Sequence, residues 1–307
     1  MSLYSMIAPK GPNGFGYGST AEQVSAGVPL AGKTILITGC NSGLGHEALR
    51  VLALRGARVI GAARTLEKAR TACASVSGDT TPVACELSDP ASVRACVAAI
   101  KAGGARLDAL IGNAGIMALP KLQQAHGYEL QFFTNHIGHF MLVTGLLEVL
   151  ADDARVVMLS SAAHTMAPKG GIEFDNLSGE RGYRSWTAYG QSKFANLLFA
   201  KELARRFSGS RRTANAVHPG VIQTNLGRHM GMALGRLAFG IGGALFFKSI
   251  PQGAATECYV AVNPHAAGIS GAYFADCDVH QPRADANDPA LARRLWEVSE
   301  QIVAGLH

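Results

Sequence analysis

From Lys33 onward, short runs that are apolar almost throughout alternate with longer amphipathic segments, and few folds accommodate that alternation. The runs are TILIT (34–38), ARVIGAA (57–63), TPVAC (81–85), LDALI (107–111), RVVMLS (155–160), TANAVH (213–218) and GAYFA (271–275). Segments of helical spacing lie at 43–55, 65–76, 90–102, 124–150, 186–207, 252–262 and 288–304. A strand covered on one face alternates apolar and polar residues; a strand covered on both does not. Continuous apolar strands separated by helices therefore predict right-handed βαβ units. Together these give an α/β fold, a doubly wound parallel sheet with helices on both faces. Neither a break in composition nor an internal repeat divides the chain. It reads as an extended arm rich in Gly, Ser and Pro (1–30) followed by one domain (31–307).

The stretch TGCNSGLG, residues 38–45, places three glycines where the first strand gives way to a helix. Glycine is a poor helix former. It does permit the tight turn and the close approach of a phosphate to backbone N–H groups at a helix N-terminus. A glycine-rich turn without a ligand is the alternative. Position decides between them: directly after a buried strand and at a helix start, this is the first βα turn of a Rossmann-type dinucleotide fold. The spacing Gly39, Gly43, Gly45 departs from G-x-G-x-x-G.

With 48% hydrophobic and 16% charged residues the chain has ample material for a core. The net charge of +6 is scattered over RTLEKAR, ARRFSGSRR and ARRLW, which reads as solvated helix faces and predicts no nucleic-acid binding. The six cysteines stand singly with no C-x-x-C pair, so neither a disulfide framework nor a zinc site is expected, and a reducing cytoplasm fits. The N-terminus lacks the basic start and apolar core of a secretory signal. The longest apolar stretch, MGMALGRLAFGIGGALFF from Met230, carries Arg236 and five glycines. A transmembrane span, about 20 largely uncharged apolar residues, is thereby excluded, though not a peripheral membrane contact.

In order along the chain, TGCNSGLG, GNAG (112–115), FTNHIGHF (133–140), LSSAAH (159–164), YGQSK (189–193) and HPGVIQT (218–224) resemble the classical short-chain dehydrogenases/reductases. QFFTNHIGHF, AYGQSKFANLLFAKEL and YFADCDVHQP resemble the retinol-dehydrogenase-like branch, and GPNGFGYGSTAEQV resembles the arm of its plant and bacterial members. The resemblance implies Asn135, Ser161, Tyr189 and Lys193 as catalytic residues. Asn135 would anchor a water leading to the lysine, and Ser161 rather than Ser160 would be the catalytic serine. It also implies a cofactor site. Gly39, Asn41, Ser42, Gly43 and Gly45 would lie at the pyrophosphate with Leu44 packed below, and Asn113, Ala114 and Gly115 near the adenosine ribose. Glu86 and Leu87 would sit beside the adenine, and Pro219, Gly220, Ile222 and Thr224 at the nicotinamide amide and phosphate. Glu86 stands where the family usually has Asp.

Independently of any family, Tyr189 and Lys193 are four apart and share a helix face. A free tyrosine has a pKa of about 10. A nearby ammonium, or the positive ring of an oxidised nicotinamide, favours the phenolate and makes the phenol a usable proton donor or acceptor. The second strand ends IGAAR, with Arg64 and no acid where an NAD enzyme places one. A 2′-phosphate there would meet a cation, so NADP is expected over NAD. A long insert, residues 162–188, and a lid-like apolar segment at about 226–250 point to a lipophilic carbonyl or alcohol as substrate. His136, His139 and His164 invite a metal reading, but no partner carboxylates fit them and no metal is expected. Two alternatives share the fold: a non-catalytic NADP(H)-binding sensor or scaffold, and a carbon–carbon double-bond reductase. Monomer and homo-oligomer are both compatible with the sequence.

Overall fold

The computed structural model describes residue 4, residues 8–222 and residues 247–306. Its main sheet has eight strands, β1 (Thr34–Thr38), β2 (Arg58–Ala63), β3 (Thr80–Ala84), β4 (Leu107–Gly112), β5 (Leu150–Leu159), β6 (Thr213–His218), β7 (Tyr273–Ala275) and β8 (Asp278–His280). Their order is β8-β7-β6-β5-β4-β1-β2-β3, parallel except for β7 with β8. The chain thus winds outward from β1 in both directions, and the strand order reverses between β1 and β4. Ligands bind at the carboxyl ends of strands beside such a switch point.

Why the strands are apolar without interruption is visible in β1. Leu36 enters the core on one face, and Ile35 and Ile37 enter the core on the other. Successive side chains of a strand point to opposite faces. Leu110 against Ile111, and Val156 against Val157, repeat the division. One face is covered by α1 (Gly43–Leu54), α2 (Leu66–Ala74) and α6 (Ala255–Val262), the other by α3 (Pro90–Ala102), α4 (Gly138–Gly145), α5 (Ser185–Arg206) and α7 (Pro289–Ala304). Helix starts follow capping chemistry. Asp89 before Pro90 and Asp288 before Pro289 accept from backbone N–H groups of the first turn, and Thr65 accepts from Lys68 N. Pro82 is tolerated because β3 is an edge strand.

Two expectations change, and a third falls outside the described residues. The helix expected at 124–150 is broken: Gln124–Ala125 pairs with Tyr128–Glu129 as a hairpin. His126 (φ 52°) and Gly127 (φ 81°) supply its left-handed turn. Helix then starts at Leu130, capped by the Glu129 carboxylate on Phe132 N, and passes through a π-helical turn, Phe133–Ile137, into α4. The end of the same range, from Leu150, is already β5. Residues 8–30 also depart from an extended arm. A capping box at Thr20 and Gln23 starts a short helix, Ala21–Val24. Asn13 donates to Tyr259 Oη and Cys277 O, and Asn263 donates to Val24 O, so this segment is packed onto α6 and its surroundings. Finally, the substrate segment at about 226–250 and Thr224 lie outside the described residues except for 247–250. Among the described residues, no helix is long and apolar enough to cross a membrane.

Candidate active site

The parallel strands deliver the expected residues to one edge of the sheet. Thr38 ends β1, Gly112 ends β4, Leu159 ends β5 and His218 ends β6, and a glycine- or serine-bearing loop follows each. After β1 the chain turns through Gly39 (φ 73°) and Gly43 (φ 58°), both in the left-handed region that favours glycine. A methyl group on Gly45 would stand 2.4 Å from both Asn113 Nδ2 and Gly39 O, whereas one on Gly43 would meet nothing within 4 Å. The loop is therefore packed tight against Asn113 on one side and open on the other. At the start of α1, Ser42 makes no side-chain cap and the first turn has no acid, leaving the helix N–H groups free of side-chain acceptors. These features fit the pyrophosphate of a dinucleotide. Asn41 and Ser42 are exposed beside the loop, and Leu44 packs under it with Ile222 and Gly253.

Around the loop, Asn113 Nδ2 donates to Thr38 O (2.8 Å) and Ala114 N donates to Thr38 Oγ1 (3.0 Å). Thr38 Oγ1 also lies 2.9 Å from His139 Nε2, while His139 Nδ1 lies 2.9 Å from the Asn135 carbonyl. A carbonyl can only accept, so Nδ1 carries the proton and Nε2 accepts from the threonine. Sequence does not single out Thr38, and it offers His139 only as a metal ligand to be rejected. The only sign in the chain is the i, i+4 spacing of Asn135 and His139.

Asn135 lies in the π-helical turn, fully buried. Its Oδ1 accepts from Ile116 N, and its Nδ2 reaches both Ile116 O and Ser192 Oγ. It braces the loop after β4 against α5. A methyl group on Gly115 would sit 3.1 Å from Asn135 Oδ1 and 3.3 Å from Lys193 Nζ, so this glycine lets the three meet.

The two serines after β5 have separate fates. Ser160 Oγ donates to the Lys193 carbonyl and is consumed by packing on α5. Ser161 caps the turn that follows, accepting from Ala163 N, and its hydroxyl neighbours the Tyr189 phenol. Tyr189 and Lys193 lie on the buried face of α5, with Lys193 Nζ 5.8 Å from the tyrosine ring centre and donating to Leu159 O (3.0 Å). The expectation that the lysine draws the phenol down is not met here. Burial pushes Tyr189 up to about 12, against the opposing hydrogen bond from Ser161. Burial also lowers Lys193 to about 8. Both changes have one cause, the loss of water around a charge.

The remaining cofactor candidates are placed as follows. Arg64 is exposed at the end of β2 and makes no ion pair or hydrogen bond among the described residues. Glu86 does not reach outward: its carboxylate accepts from Ser88 N and Ser88 Oγ. Leu87 is buried, and a methyl group on Gly138 would collide with its carbonyl. Gly220 (φ 92°) lies under the Lys248 side chain, beside Pro219, and Ile222 bridges to Lys248. Lys248 itself is buried and paired with Asp276 at 2.5 Å. His136, His139 and His164 bind Ser299, Thr38 and the Ser161 carbonyl respectively, and no cluster of three metal-ligating side chains occurs among the described residues.

A glycine-rich loop at the switch point, with half-buried Ser161 and buried Tyr189 and Lys193 on the neighbouring strand and helix, is the arrangement of a dinucleotide-dependent oxidoreductase. Residues 33–233 match the short chain dehydrogenase family, and the chain belongs to it. Over the full length of both chains it is 41% identical to the chloroplastic short-chain dehydrogenase TIC 32 B of Brassica napus. It is 39% identical to human retinol dehydrogenase 14, over 89% of this chain and 87% of that one. The crystal structure of an uncharacterised protein from Mycobacterium paratuberculosis superposes with a TM-score of 0.74 at 35% identity, covering 91% of this chain and 97% of the other. Within the family the protein falls in the retinol-dehydrogenase-like branch, an NAD(P)-using oxidoreductase acting on CH–OH groups.

Proposed function

We propose that the protein interconverts a lipophilic carbonyl compound and its alcohol with NADP(H), using Ser161, Tyr189 and Lys193 at the reacting centre. The observation that carries this reading is the buried Tyr189 phenol, grouped with Ser161 and Lys193 at the carboxyl edge of the sheet. When bound, the dinucleotide supplies the two-electron donor or acceptor. Ser161 donates to the substrate oxygen and sets its distance from Tyr189. Tyr189 Oη gives its proton to that oxygen in reduction and takes it back in oxidation. Lys193 orients the ribose, and its charge opposes the burial that raises the phenol. Asn135 acts one step behind, holding the loop after β4 beside Lys193.

Gly39, Asn41, Ser42, Gly43, Leu44 and Gly45 hold the pyrophosphate, Asn113, Ala114 and Gly115 the adenosine ribose, and Pro219, Gly220 and Ile222 the nicotinamide end. The unpaired Arg64 supports NADP over NAD, since a 2′-phosphate would find a cation without an internal partner. Glu86, occupied by Ser88, contributes backbone rather than side chain beside the adenine. The apolar rim supports a lipophilic substrate. Trp186 stands edge-on to Tyr189 and is 40% exposed, and Met166 and Val221 are exposed by half or more. With all six cysteines free, a reducing compartment such as the cytoplasm suits the protein.

A turnover screen of ketones, aldehydes, alcohols and enones of increasing chain length, each with NADPH and NADH, tests the reading. Carbonyl compounds should react with NADPH, and kcat/KM should climb with chain length. Reaction of enones alone would replace it with carbon–carbon double-bond reduction. Tight NADPH binding without turnover of any class would make the protein a nucleotide-binding scaffold.

A further inference from the structure

Gly61 lies in the middle of β2, and two sulfur atoms fill the space its side chain would take. A methyl group there would stand 2.9 Å from Cys73 Sγ and 3.1 Å from Cys40 Sγ. The two sulfurs therefore lie within about 6 Å of each other, and both are buried. They come from segments 33 residues apart in sequence that share an outlook on the cofactor loop. Cys40 follows Gly39 in that loop, and its N–H is held by Ala62 O. Cys73 sits near the end of α2, the helix that begins just after Arg64. Nothing in the chemistry proposed above uses either sulfur.

We propose that Cys40 and Cys73 form a reversible thiol–disulfide site, closed by peroxides, whose closure weakens dinucleotide binding. The second half rests on the reading of residues 39–45 as the dinucleotide loop. The thiolate is the reactive form of cysteine. Here the neighbouring Cys40 thiol eases loss of the Cys73 proton. The Cys73 thiolate attacks one peroxide oxygen, the O–O bond breaks, and a sulfenic acid forms as the first water leaves. Cys40 sulfur then attacks the sulfenic sulfur, the S–S bond forms, and the second water leaves. Two thiols have lost two electrons and two protons; the peroxide has taken both.

The consequence for binding is geometric. An S–S bond is about 2.05 Å long, much shorter than any contact between separate thiols. Closure therefore draws Cys40 toward α2, and Gly39 moves with it. Gly39 has no slack, since a methyl group on it would already stand 3.0 Å from Ala114 Cα and from Asn113 Nδ2.

The test uses the full chain, treated with hydrogen peroxide and mapped by proteolysis and mass spectrometry with and without dithiothreitol. NADPH affinity is followed by nicotinamide fluorescence. A Cys40–Cys73 cross-link should appear, with NADPH Kd raised about tenfold or more and restored by reductant. Cys73→Ser and Cys73→Ala should bind NADPH as the parent does and lose the response to peroxide. Because linkage is reciprocal, saturating NADPH should make the disulfide correspondingly harder to form. A cross-link at Cys85–Cys96, a second pair of neighbouring buried thiols, instead of this one, or no cross-link at all, would overturn the site. A Cys40–Cys73 cross-link with unchanged NADPH affinity would overturn its effect. If the reduced protein binds no NADPH, the dinucleotide reading fails by itself, and the peptide map still decides whether the disulfide forms.

Discussion

Tyr189 and Lys193 share one burial penalty, and that penalty sets what each can do. With the phenol pushed up to about 12, Tyr189 holds its proton throughout the physiological range and is poised to donate it. Replacing it with Phe removes only that proton. Turnover should fall by about 100- to 10,000-fold while NADPH affinity stays within about twofold, measured by steady-state kinetics and fluorescence titration. Lys193, lowered to about 8, changes state much sooner. Its ammonium form predominates below that value and is lost above it, so kcat/KM for carbonyl reduction should decline on the alkaline side from about pH 8. Lys193→Arg, charged at every accessible pH, should lack that limb; a profile flat to pH 10 in the parent would remove the lysine charge from the rate. At Arg64 the contrast is between cofactors. Arg64→Ala should weaken NADPH by about tenfold or more and leave NADH unchanged, because a hydrogen bond to a charged group is worth about 1.5–3 kcal/mol. Equal NADPH and NADH affinities in the parent protein would defeat the assignment.

The segment Leu130–Gly145 is where an element carries functional geometry. Its π-helical turn sets Asn135 between the β4 loop and Ser192, and its continuation brings His139 under Thr38. What seats it is a glycine. A methyl group on Gly138 would stand 2.2 Å from the Leu87 carbonyl, a contact that backbone cannot yield cheaply. Gly138→Ala should cost about 1–3 kcal/mol of stability, as overpacking of a tight contact does. The same shift should weaken dinucleotide binding through the His139–Thr38 link. Denaturant unfolding and NADPH titration together check this. Unchanged stability with unchanged binding would mean that the helix moves freely over Leu87. Reading 124–150 as one helix was reasonable from its apolar spacing. The left-handed pair His126–Gly127 overrides it, and nothing in the periodicity marks where a π turn falls.

Across the whole molecule, buried ionisable groups make stability depend on pH from both sides. His136, His139 and His218 are held down at about 3, 4 and 4 by burial. Below their ordinary value of about 6.5 the unfolded chain takes up protons that the native one refuses, so acid erodes stability through them. Glu257 works in the opposite direction. Both of its oxygens are buried without hydrogen-bond partners among the described residues, and burial pushes it up to about 8. Its proton is bound in the native state and released from the unfolded chain above about pH 4.5. The raised carboxyl therefore penalises folding increasingly as pH climbs from about 4.5 toward 8. Glu257→Gln is free of that slope. Its stability relative to the parent should improve by about 2 kcal/mol between pH 5 and pH 7 in urea unfolding. A difference independent of pH would show that Glu257 ionises as readily in the native protein as in the unfolded one.

The sequence by itself determined the class of fold and the cast of the site. Continuous apolar runs required a sheet buried on both faces, and β1 and β6 run as their apolar stretches do, because local patterning and burial demand the same thing there. Glycines 39, 43 and 45 were legible because positive φ and close packing leave no other residue free to serve. Tertiary structure decided what depends on partners distant in the chain. It consumed Ser160 in a bond to the Lys193 carbonyl while leaving Ser161 with Tyr189, and it turned Glu86 back on Ser88. It brought Cys40 to Cys73, whose neighbourhood across Gly61 no spacing in the chain announces. Desolvation and side-chain pairing are sums over neighbours, and only the folded chain fixes which neighbours those are.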